Sequence, residues 1–124
     1  MGAFLMLNME SSEIYHLGPA FEKQVLLKFK FLKAEGFNDP ETGSNTKKYV
    51  HKVIYWHPEK KLRVEIVNAY HPVDYGFEIN LSETYSSGEP KNKNMIFNCL
   101  KEDQHEDLTF VEEGAKALQA VLKK

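Results

Sequence analysis

Five histidines and one cysteine in 124 residues are the side chains most able to do chemistry. Imidazole ligates metals and titrates near neutrality, and a thiolate is a nucleophile. Spacing argues against a metal. His57-Pro58-Glu59-Lys60 and His71-Pro72-Val73-Asp74 both read as four-residue turns at opposite ends of one strand. A strand of that length separates the two histidines by ~30 Å at a rise of ~3.3 Å per residue. His51 lies six residues before His57 on the preceding strand, ~20 Å away by the same rise. Ligands to one ion must converge, so neither a metal nor a cofactor is expected.

Cys99 has His105 six positions on, with Asp107 beyond it. A cysteine nucleophile needs a base within hydrogen-bond reach, and this spacing has no special meaning for that. A small buried thiol is the simpler expectation. The chain has no GxGxxG, GxxxxGK[ST] or GxSxG motif, so phosphate-loop and serine-hydrolase chemistry have no sequence support. No catalytic residue is therefore assigned. The aromatic residues of the central region stand among Glu65 and Glu78 as well as Lys52 and Arg63. The basic groove needed for nucleic acid is missing. One ligand-binding reading survives, a pocket between sheet and helices lined by Tyr49, His51, Tyr70 and Tyr75.

The elements that would position these groups centre on residues 47–82, where three alternating runs predict an antiparallel meander with strands at about 47–56, 61–70 and 75–82. Proline sets φ for the second position of each turn and cannot donate to a ladder. Pairing Tyr70 with Tyr75 sets Asn68 against Phe77, Ile66 against Ile79 and Val64 against Leu81. Loop length and hydrophobic pattern specify that register independently. Leu62, Val64, Ile66, Tyr75, Phe77, Ile79 and Leu81 then face the helices.

In the first hairpin, a four-residue loop pairs Trp56 with Lys61 and puts Tyr49, His51, Val53 and Tyr55 on that same face. Val50, Ile54, Trp56, Val67 and Ala69 fall on the other. A three-residue loop would exchange the two sets. Either way this strand is apolar on both sides, which is unusual for a half-buried antiparallel sheet.

Gly18-Pro19 predicts the start of a helix carrying Phe21, Val25, Phe29 and Leu32, which ends at Glu35-Gly36. Residues 37–46 and 83–94 read as long polar loops. MIFNCL, residues 95–100, reads as a fourth strand with Met95, Phe97 and Cys99 on one face. Thr109-x-x-Glu112 reads as a capping box for a C-terminal helix from about Thr109. The expected fold is α+β: an N-terminal helix, an antiparallel meander of three to four strands (five if residues 3–7 add one), and a C-terminal helix, both helices on one face.

Length fits one α+β domain over residues 1–124. The lone cysteine excludes an internal disulfide, and residues 3–7 are too short an apolar run for a leader or a membrane span. A cytoplasmic protein with no membrane association is expected. Net charge is −2, but residues 17–64 hold ten Lys/Arg against five Asp/Glu while residues 65–124 hold six against eleven. Such asymmetry can orient a partner or favour antiparallel self-association.

FLKAEGF closing a helix, followed by VIYWHPEKKLRVEIV and YGFEINL, resembles in pattern small bacterial α+β proteins of unknown function, including some immunity proteins that neutralise toxins of neighbouring cells. The likeness spans about residues 21–82 and implies at most stoichiometric protein binding, with no functional residue carried across. The leading expectation is thus a non-enzymatic interaction module, a homodimer or the partner of another protein, whose interface is Val50, Ile54, Trp56, Val67 and Ala69.

Overall fold

The computed structural model describes residues 11–45, 50–69, 76–100 and 108–123. In chain order they form α1 (Ser11–Lys28), the single turn α2 (Phe31–Ala34), β1 (Glu41–Asn45), β2 (Val50–His57), β3 (Leu62–Ala69), β4 (Phe77–Thr84), β5 (Pro90–Cys99) and α3 (Thr109–Leu122). The strands make one antiparallel sheet in the order β1-β2-β3-β4-β5, so the fold is α+β. Among the described residues no helix is long and apolar enough to cross a membrane.

The β3–β4 hairpin has the register its pattern predicts: Asn68 opposite Phe77, Ile66 opposite Ile79, and Val64 opposite Leu81. Tyr70 and Tyr75 lie outside the described residues. In the β2–β3 hairpin, His57 pairs with Leu62 and Trp56 with Arg63, two positions from the Trp56–Lys61 pairing expected. A shift of two leaves every side chain on its expected face. The turn is Pro58 to Lys61, with Lys61 in the left-handed region at φ 53°. The Lys60 N–H donates to His57 Nδ1 at 3.1 Å.

The core gathers one face of this sheet under the helices. Phe21, Val25, Phe29 and Leu32 from the N-terminal helices, and Phe110, Val111, Ala115 and Leu118 from α3, pack on Val53, Tyr55, Val64, Ile66, Phe77 and Ile79. Burying a large apolar side chain contributes about 1.5–3 kcal/mol. Leu62 and Leu81 are half-buried against the same cluster. Phe77 meets Phe21, Phe97 and Phe110 edge to face, with centroids 5.8, 5.9 and 5.0 Å apart. Gly114 on α3 lets the helix approach: a Cβ there would lie 2.6 Å from Ile79 Cδ1.

Several expectations are corrected. The first helix starts at Ser11, not Pro19; a proline inside a helix sacrifices one hydrogen bond, which here does not end the element. It breaks instead at Phe29 and Lys30, where bonds from Leu32 N to Phe29 O and from Lys33 N to Lys30 O tighten the chain before α2. The end at Gly36 holds. Gly36 has φ 103°, and bonds from its N–H to Lys33 O and from Phe37 N–H to Leu32 O complete a Schellman motif.

The polar stretch 37–46 contains β1, a strand without apolar alternation that pairs with β2 through its backbone. The second expected loop shrinks to residues 85–89, because β4 runs on to Thr84 and β5 begins at Pro90. β-Bulges interrupt the β4–β5 register between Ile79 and Asn80 and between Leu81 and Glu83. The first puts Met95 opposite Asn80, on the face away from the helices, while Phe97 and Cys99 stay on the helix side. The capping box does not form: Leu108, at φ 60°, occupies the N-cap position without a side-chain cap, and Thr109 is already helical.

Candidate interaction face

Alternation sends every second residue of the sheet away from the helices. Three cross-strand rows build that open face: Lys52–Val67–Glu78, Ile54–Glu65–Asn80 and Trp56–Arg63–Ser82. Ile54, Trp56 and Val67, three of the five residues expected at an interface, lie here half-buried. Val50 and Ala69 pair with each other in the same alternation, though their side chains lie outside the described set.

Glu65 occupies the middle of this face, directly opposite Ile54. Its side chain is only 7% exposed, while Lys52, Arg63 and Lys93 remain far more open. Oε1 lies 4.0 Å from Lys52 Nζ; Oε2 lies 3.2 Å from Arg63 Nε and 3.6 Å from Lys93 Nζ. A carboxylate leaves water at high cost unless paired. Three cations around one carboxylate compensate that cost, and Glu41, opposite Ile54, and Glu78, opposite Val67, bring the charges of this face into balance.

The tip of the β4–β5 hairpin folds against one side of this cluster. Trp56 Nε1–H donates to Thr84 Oγ1 at 3.2 Å, and Arg63 Nη1 donates to Gly88 O at 3.4 Å. Gly88, at φ 93°, presents its bare backbone to the Trp56 ring, which a Cβ would approach to 3.7 Å. Tyr85 N–H bonds to Glu89 O across the tip, and Lys91 Nζ sits 4.9 Å from the Tyr85 ring centroid. Asn80, Ser82 and Thr84 are buried beneath. Asn80 Nδ2 donates to Glu78 Oε2 at 3.3 Å. The result is a surface of fixed charges beside a half-exposed indole, a composition suited to recognising another protein.

The ligand-binding set falls elsewhere. His51 is buried on the helix side opposite Asn68, itself fully buried. Burial pushes the His51 imidazole below its ordinary value, with the Glu22 carboxylate opposing the shift. Tyr49, Tyr70 and Tyr75 lie outside the described residues. His57 is also buried, stacked edge to face on Phe37. Among the described residues no three His, Cys, Asp or Glu side chains are placed to hold a metal ion. Sequence reasoning missed Lys93 and Thr84 because both lie in a stretch read as loop, and it missed the centrality of Glu65 because residue type alone does not distinguish rim from middle.

Comparison with known proteins matches no family model, no curated protein and no solved structure.

Proposed function

We propose that the protein is a non-enzymatic, cytoplasmic interaction module that binds another protein chain through the open face of its sheet. The observation that carries this reading is the Glu65 cluster: a buried carboxylate held by three half-exposed cations, beside Trp56, on a face that neither α1 nor α3 covers. A fixed polar network with an aromatic anchor supplies both orientation and contact area. The competing reading, a ligand pocket between sheet and helices, draws support from buried His51 and Asn68. The filled packing of Phe77 against Phe21, Phe97, Phe110 and α3 weighs against it.

Sedimentation of the wild type and of Ile54→Glu at tens of micromolar tests the simplest partner, a second copy of the chain. A wild-type dimer that Ile54→Glu dissociates without unfolding identifies the partner as the protein itself. A wild-type monomer excludes a second copy as the partner. Association that survives Ile54→Glu contradicts the reading.

A further inference from the structure

The charges of the open face change sign in a regular order from one edge of the sheet to the other. Glu41 on β1 stands opposite Ile54, Lys52 on β2 and Glu78 on β4 flank Val67 in one row, and Lys93 reaches the same face from β5. Between them, on β3, Arg63 and Glu65 neutralise one another at 3.2 Å. From β1 to β5 the order is negative, positive, neutral, negative, positive, which is antisymmetric about β3. The outer charges are loosely held. Lys52 Nζ and Lys93 Nζ stand 4.0 and 3.6 Å from the one carboxylate they share, and Glu41 and Glu78 meet no cation among the described residues.

Building on the open-face reading, we infer that the partner is a second copy of the chain, stacked face to face on a two-fold axis that runs along β3 through Val67. A half-turn about β3 exchanges β2 with β4 and β1 with β5. Lys52 then faces Glu78 of the second copy, and Glu41 faces the strand that carries Lys93, each contact occurring twice as a two-fold requires. Arg63 and Glu65 lie on the axis as an internally bonded pair, so each copy offers its counterpart a neutral centre. Val67 meets its own copy there, and half-buried Ile54 and Trp56 with exposed Met95 supply apolar contact around it. Stacked sheets lie about 10 Å apart, a gap that a lysine and a glutamate close together. A partner carrying charge of a single sign would meet like charge at half of these positions, and such juxtaposition is what excludes a wrong partner. Surface ion pairs add little affinity by themselves; here they set the register of the two copies.

Sedimentation equilibrium of the full chain at tens to hundreds of micromolar reads the association, with circular dichroism confirming that each variant is folded. The wild type should be a dimer. Lys52→Glu and Glu78→Lys each bring like charges together twice across the axis and should each weaken the dimer about tenfold or more. Combining the two reversals in one chain should restore wild-type association. Mixing the two single variants should give a heterodimer tighter than either homodimer, because every pair across its axis is then of opposite sign. Should Lys52→Glu fail to fold beside Glu65, Glu41→Lys at an exposed position supplies a second reversal with the same expected loss. Glu113→Lys, exposed on α3, makes the same change of net charge away from the sheet and should leave the dimer unaltered.

A wild type that stays monomeric would overturn the inference, and a different protein then found covalently linked at Ile54 would leave the open-face reading standing. A dimer that Ile54→Glu dissociates but that ignores Glu78→Lys and Glu41→Lys would overturn the two-fold register alone, as would a combined variant no tighter than the single ones. Equal weakening by Glu113→Lys would trace the losses to net charge and count against the register in the same way. A dimer that survives Ile54→Glu would remove the open-face reading itself.

Discussion

Trp56 on β2 and Thr84 at the end of β4 are joined by a hydrogen bond of 3.2 Å across the intervening strand, where Arg63 stands opposite Trp56. The bond ties the one tryptophan of the chain to the hairpin tip and keeps the indole on the open face instead of in the core. Thr84→Val keeps the shape and removes the acceptor. It should cost about 0.5–1.5 kcal/mol, the net worth of a hydrogen bond. In a double-mutant cycle with Trp56→Phe, followed by urea unfolding, the two losses should be clearly less than additive. Full additivity would mean the bond contributes nothing.

Gly114 offers a case where two effects of opposite sign compete. Alanine in a helix interior is favoured over glycine by about 1 kcal/mol. Here the added methyl would meet Ile79 Cδ1 at 2.6 Å, Phe77 Cε2 at 3.0 Å and Phe97 Cδ2 at 3.1 Å. Overpacking of a closed core costs about 1–3 kcal/mol, so Gly114→Ala should destabilise on balance. A rise in melting temperature would show that α3 can retreat from the sheet.

Stability should fall with acidity because of His51. Burial lowers its folded pKa below the ordinary 6.5, so the unfolded chain takes up the proton first. Stability from this group is therefore complete above about pH 6.5 and is lost as pH falls through the folded value. Urea midpoints at pH 7.5 and 5.5 should differ in the wild type and differ less in His51→Gln. Tyr55 acts at the other extreme: burial raises its hydroxyl to about 12, so alkali should begin to destabilise the fold above pH 10. An identical acid response in His51→Gln would remove the assignment to His51.

Legibility in the sequence followed the amount of independent information at each place. Ile66 opposite Ile79 could be read because apolar alternation and turn length imply the same register. β1 could not, since Glu41-Thr42-Gly43-Ser44-Asn45 is an edge strand whose pairing is a backbone property that leaves no hydrophobic trace. Met95 was grouped on one face with Phe97 and Cys99, and the structure separates it from them because a single bulged residue inverts alternation, and bulges have no dependable sequence signal. On the open face, Ile54, Trp56 and Val67 were legible as apolar residues facing away from the core. The Glu65 cluster was not, because Lys52, Arg63 and Lys93 come from three strands and meet only once β5 has its bulged register.

Whether the open face binds a protein is tested most directly by a photoreactive amino acid placed at Ile54 in the full chain, produced in the cells that naturally make it. The same probe at Leu27, exposed on α1 on the opposite side of the sheet, serves as the control. The account predicts one dominant covalent product from position 54, either a second copy or a single other protein. That product should be lost when Lys52→Glu and Lys93→Glu are added, and it should be absent from position 27. Products from position 27 with none from position 54, or equal products from both, would contradict it.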